Sequence, residues 1–124
     1  TFKDLVGGRG AQPLINLKKE DTVAEAIELM KKYDIENIPV MDNGISVGAI
    51  SAGGLFNKIL SNPDIKSETI ATVMEKAYPE VAFETPVERL SSFITKENGA
   101  VLSKDESGTF HIVTKYDIIQ SLTK

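Results

Sequence analysis

Apolar residues in this chain recur with two periods, and the switches between them mark out the elements. Val23, Ala26, Ile27 and Met30 fall at i, i+3, i+4 and i+7, one face of a helix, while Glu28, Lys31 and Lys32 take the opposite face. Thr22 and Glu25 stand at the positions of a capping box at its start. Leu14 to Leu17 reads as a short strand before that helix. Ile38 to Met41 reads as a buried strand after it, then Asp42-Asn43-Gly44 as a turn and Ile45 to Ser51 as the returning strand. A second helix carries Leu55, Phe56, Ile59 and Leu60.

The order then recurs. Val81 to Phe83 reads as a strand, and Thr85 is expected to cap a helix with Pro86 at its first position and Glu88 at its third. Val87, Leu90 and Ile94 form the inner face of that helix. Ala100 to Ser103 and Thr109 to Thr114 form a hairpin across Lys104-Asp105-Glu106-Ser107-Gly108, and Ile118, Ile119 and Leu122 line a last helix. Val23 and Val87, Ile38 and Ala100, and Ala49 and Ile112 are 64, 62 and 63 residues apart, and Phe2-Lys3-Asp4-Leu5-Val6 matches Ile70-Ala71-Thr72-Val73-Met74. The chain therefore reads as two halves, 1–60 and 69–124, joined by a polar, proline-containing linker at 61–68. Each is strand–helix–strand–strand–helix, an α+β unit too small to bury its own sheet face, so two pseudo-symmetric repeats packed sheet to sheet are expected.

Composition narrows the chemistry. With 124 residues there is room for one compact domain or two small halves. A net charge of −4 without a basic block argues against nucleic acid as a partner. No apolar run reaches membrane-spanning length, and Thr1-Phe2-Lys3-Asp4 does not open a signal peptide. There is no Cys and a single His, which removes thiolate nucleophiles, zinc–sulfur sites and multi-histidine metal centres. His111 is expected to be an ordinary strand side chain, and Met30, Met41 and Met74 core or strand residues. Gly7-Gly8-Arg9-Gly10 lacks the ending of a phosphate loop and reads as a connector.

One place invites chemistry. Where the last strand ends at Thr114 and a helix begins, free backbone N–H groups and the positive end of the helix dipole favour an anion. The Thr114 hydroxyl adds a donor, and the Asp117 carboxylate has two acceptor oxygens suited to the adjacent hydroxyls of a ribose. Thr-x-x-Asp before an apolar run is also a capping signature, which stabilises a helix by about 0.5–2 kcal/mol without any ligand. At the matching place the first half has Ser51 and Gly54, so the hydroxyl is kept and the carboxylate is missing. One competent site and one degenerate site are expected.

Thr22-Val23-x-Glu25-Ala26, Ile38-Pro39-Val40-Met41-Asp42 with Val47-Gly48-Ala49-Ile50-Ser51, and Ile112-Val113-Thr114-Lys115-Tyr116-Asp117 together resemble a tandem of CBS domains, a Bateman module. The resemblance covers essentially the whole chain. It implies binding of an adenosine compound (AMP, ADP, ATP or S-adenosylmethionine) in clefts between the repeats. Thr114, Asp117, Lys115 and Tyr116 would lie at the phosphate and ribose, and Ile35, Glu36, Asn37, Ile38 and Pro39 around the adenine. Ala11, Gln12 and Pro13 would close the pocket. Gly54 departs from the family pattern, and Val101 stands where the first half has Pro39.

Pro13-Leu14, Tyr33 to Val40 and His111 to Asp117 are also similar to the C-terminal regulatory region of the cystathionine β-synthase family. This similarity implies a regulatory fragment, not an enzyme, with no cofactor of its own. Its parent's pyridoxal-phosphate catalytic domain would be a covalently linked partner, and the absent starting Met is read as a cut at a domain boundary. A cytoplasmic homodimer is expected, pairing through the helices that end each half. The alternatives are a structural dimerisation domain with no ligand, and a small hydrolase using Asp117, against which stands the lack of a second carboxylate or histidine spaced to work beside it.

Overall fold

The computed structural model describes residues 1–7 and 14–122. They form two compact units, Ile15–Ala77 and a second made of Thr1–Leu14 with Tyr78–Lys124. Each has a two-stranded antiparallel sheet with helices around it, an α+β layout.

In Ile15–Ala77, α2 (Val23–Tyr33) starts at Thr22, whose hydroxyl accepts the Glu25 N–H at 3.3 Å. Its inner face buries Val23 and Ala26 completely, and Ile27 and Met30 pack against the same core. Asp34 ends the helix in the left-handed region at φ 53°, a conformation that Asp tolerates because its short polar side chain bonds locally. β1 (Asn37–Asp42) pairs with β2 (Ile45–Ser51). Asn43 at φ 50° and Gly44 at φ 79° make the tight turn between them, the primed geometry that Asn-Gly prefers. Ile38, Val40 and Ile50 from the hairpin, with Leu17 and Ile70, form the centre of the core. α3 (Ala52–Ser61) follows directly. The linker expected as loop carries a 3-10 helix, Pro63–Ser67, which buries Ile65, and then α4 (Ile70–Val73).

The other unit holds α1 (Phe2–Val6), α5 (Val87–Phe93), β3 (Ala100–Lys104) paired with β4 (Phe110–Thr114), and α6 (Lys115–Leu122). Phe2, Val6, Leu90, Val101, Val113 and Ile118 are its core. α1 is fastened by its backbone: the Phe2 N–H donates to the Thr85 carbonyl at 2.8 Å and the Lys3 N–H to the Phe83 carbonyl at 2.9 Å. The Phe2 and Phe83 rings stand 5.9 Å apart. Ser103, fully buried, satisfies its hydroxyl on the Val81 carbonyl at 2.6 Å.

Four local expectations are corrected. The strand at Leu14 to Leu17 is reduced to one bridge, Leu17 to Val40, because the Asp21 carboxylate accepts the Lys18 N–H at 2.8 Å and turns the chain away. The strand at Val81 to Phe83 is likewise one bridge, between Glu80 and Leu102. Pro79 has no N–H to extend the ladder, and the chain turns at once where Thr85 bonds back to Ala82. Thr85 does not cap α5: its hydroxyl donates to the Ala82 carbonyl at 2.7 Å, and Pro86 is the N-cap, with no side-chain cap bond. On α6 only Ile118 is buried; Ile119 and Leu122 are 52% and 76% exposed. Among the described residues no helix is long and apolar enough to cross a membrane.

Because Phe2 is fully buried in a core shared with residues far along the chain, Phe2→Ala is expected to lower unfolding stability by about 3–5 kcal/mol. Ile45→Thr, at a position 64% exposed, should change it by no more than about 0.5 kcal/mol. Urea denaturation of both variants checks the contrast.

Candidate functional site

The β4–α6 junction places Thr114 as the last strand residue and Asp117 in the first turn of the helix. The Thr114 N–H donates to Asp117 Oδ2 at 2.8 Å, and its hydroxyl donates to the same oxygen at 3.3 Å. The carboxylate thus folds back over the start of α6, fixing its own position and putting negative charge at the positive end of the helix dipole. Lys115 and Tyr116, both exposed, stand beside it, the ammonium 5.5 Å from the centre of the Tyr116 ring. The junction combines a fixed carboxylate, a hydroxyl, a cation and an aromatic face, which suit hydroxyl groups and an adjoining anion.

The β2–α3 junction is built the same way with its parts from elsewhere. Ser51 caps α3, its hydroxyl accepting the Gly54 N–H at 3.1 Å. That hydroxyl donates to Glu75 Oε1 at 2.8 Å. Glu75 is held by a two-way backbone pairing with Ala49, N–H to carbonyl at 2.8 Å and carbonyl from N–H at 3.0 Å. A Cβ at Gly54 would lie 2.5 Å from Glu75 Oε1, and one at Gly48 would lie 2.6 Å from the Met74 sulfur. An open groove of about 520 Å³ runs along α3 past Gly54, Asn57, Lys58 and Ser61, bounded also by Asn62, Ile65 and Glu75.

Sequence reasoning singled out Ser51 and Gly54 but missed Glu75. The signal was in the glycines: Gly48 and Gly54 leave room for a segment pressed against them. Of the segment expected around an adenine, Ile38 and Pro39 are buried, Ile35 and Asn37 half-buried and Glu36 exposed. This segment adjoins the Ser51 junction of its own unit, since Asn37 pairs with Ser51 and the Glu36 carbonyl accepts the Ala52 N–H at 2.8 Å. Thr114 to Asp117 belong to the other unit. Ala11, Gln12 and Pro13 lie outside the described residues. Among the described residues no group of three His, Cys, Asp or Glu side chains is placed to hold a metal ion.

His111 fastens the β3–β4 hairpin: its Nε2 lies 2.8 Å from Asp105 Oδ2. Asp105 Oδ1 also accepts the Ser107 hydroxyl at 2.6 Å and the N–H groups of Ser107 and Thr109 at 2.8 and 3.0 Å. The His111 bond first, then the Ser107 hydroxyl and the two N–H groups, hold the Asp105 carboxyl well below the usual carboxylate range.

Residues 11–61 match the family model for the CBS domain. Cystathionine beta-synthase of Dictyostelium discoideum is 25% identical over 116 residues, an alignment covering 89% of this chain and 23% of that protein. The chain thus spans about a quarter of the length of the curated relative it matches. The fold is similar to that of the CBS-domain-containing protein ATU1752 from Agrobacterium tumefaciens, with a TM-score of 0.84 at 14% identity, covering 98% of this chain and 92% of that one. It is also similar to the CBS domain pair of protein MJ0100, whose structure contains 5-methylthioadenosine and S-adenosyl-L-methionine. There the TM-score is 0.78 at 24% identity, covering 98% and 94% of the two chains. The match to the CBS-domain model covers residues 11–61, and the fold of the chain is that of CBS-domain-pair structures.

A folded-state pKa held below the unfolded value of 3.8 stabilises the protein at higher pH, and the contribution is lost as pH falls through the folded value. Between about pH 5 and pH 2, urea midpoints of the native chain should therefore fall more steeply than those of Asp105→Asn. Equal slopes would remove Asp105 from the acid response.

Proposed function

We propose that this chain, with its CBS-domain match and CBS-pair fold, is a ligand-sensing regulatory module for an adenosine-containing compound. The observation carrying this reading is the Thr114–Asp117 pair, a hydroxyl and carboxylate fixed at 3.3 Å at the start of α6. In this reading Asp117 accepts the hydroxyls of a ribose. Thr114 and the first N–H groups of α6, with the Lys115 ammonium, hold an anionic group. That group is a phosphate in AMP, ADP or ATP and the methionine carboxylate in S-adenosylmethionine. The ligands present in the MJ0100 structure, both adenosine derivatives, support the class.

The proposal extends to what the module serves. The 25% identical relative suggests a linked pyridoxal-phosphate enzyme of the cystathionine β-synthase type in the cytoplasm, its activity set by ligand occupancy. Phe56 and Leu60 on α3 and Ile119 and Leu122 on α6, 52% to 76% exposed, are the proposed surfaces for pairing with a second copy. A second reading, a dimerisation domain without a ligand, draws on one observation: Asp117 Oδ2 already accepts two bonds from Thr114, as a helix cap alone would require.

Calorimetric titration of AMP, ADP, ATP and S-adenosylmethionine separates the two readings. Saturable binding by at least one supports a sensor; none at millimolar concentration, with a stable dimer by sedimentation, supports the second reading. Asp117→Ala should weaken the bound ligand by about 10- to 150-fold, the range for a hydrogen bond to a charged group. Unchanged affinity in that variant would reduce Asp117 to a cap.

A further inference from the structure

We infer that Glu75 is the junction carboxylate of the Ile15–Ala77 unit, supplied from a distant part of the chain in place of the side chain that Gly54 lacks. The two junctions carry the inference. At α6, the hydroxyl of Thr114 donates to a carboxylate three residues ahead. At α3, the hydroxyl of Ser51 donates to a carboxylate 24 residues ahead, at 2.8 Å, while accepting the Gly54 N–H. α3 has no acidic residue in its first turn, whereas α6 has Asp117, so Glu75 supplies the charge the dipole of α3 otherwise lacks.

The place is held for Glu75 by the surrounding structure. Its backbone is clamped to Ala49 by two hydrogen bonds, and a Cβ on residue 54 would meet its Oε1 at 2.5 Å and its Cδ at 2.9 Å. Gly54 is therefore the partner of Glu75: one carboxylate fits over Ser51, and this chain places Glu75 there. The first junction is filled by the chain's own anion and has Ala52 where the other has the Lys115 cation, so an anionic group of a ligand meets like charge there with no adjoining ammonium to offset it. Glu75 acts as a positioning residue for Ser51 and α3 and sets the specificity of that junction. The inference stands whether or not the Thr114 junction takes a ligand.

A mutant cycle on the full chain tests it. Glu75→Ala should lower the thermal midpoint of the native chain. In a Gly54→Asp background, where residue 54 can bond to Ser51 as Asp117 bonds to Thr114, Glu75→Ala should leave the midpoint unchanged or raise it. Equal losses in both backgrounds would overturn the inference. On the native chain, the Gly54 amide signal in NMR should stay in place as inorganic phosphate is added to millimolar levels. A saturable shift there would show that Glu75 does not close the junction to anions.

Discussion

A two-stranded sheet has too little surface to make a stable core by itself, and both units meet that constraint with a borrowed helix. α1 lies ahead of α2 and β1 in sequence yet packs with β4, α5 and α6, where Phe2 is fully buried. α4 lies ahead of α5 and β3 yet packs with the β1–β2 hairpin, where Ile70 is fully buried. The fastenings match. Phe2 and Lys3 donate their N–H groups to Thr85 and Phe83, and Ile70 and Ala71 donate theirs to Asp21 and Lys19 at 2.7 and 3.0 Å.

The parts visible in the sequence are those whose cause is local. The Asn43-Gly44 turn, the cap at Thr22 and the buried face of α2 follow from residues a few positions apart, and they stand where the pattern put them. The matching of Phe2–Val6 with Ile70–Met74 also holds, since both begin with short helices. The strands expected at Leu17 and Val81 shrink to single bridges because apolar residues alone do not continue a ladder: Asp21 turns the chain in one case, and Pro79 and the Thr85 turn limit it in the other. Thr85 had the right identity and place for a cap, but its hydroxyl found a nearer acceptor in Ala82.

The candidate site divides along the same line. Thr114 and Asp117 were legible because donor and acceptor are three residues apart. Glu75 was not, because its meaning depends on backbone pairing with Ala49, from which α3, the 3-10 helix and α4 separate it in sequence. Gly54 looked like a loss when read alone. Beside Glu75 it is an accommodation, and the two junctions differ in where their carboxylate comes from, not in whether they have one.

The borrowed helix has a consequence in time. Ile15–Ala77 is a continuous run, complete once Ala77 has been synthesised, whereas the unit containing α1 lacks most of its residues until Lys124 is made. At roughly 5–20 residues per second, translation of Tyr78–Lys124 takes several seconds, during which the apolar face of α1 has no permanent partner. Phe2, fully buried in the finished unit, is thus made well before the residues that cover it. The nascent protein is most open to chaperone capture, or to pairing with a neighbouring chain, in that interval.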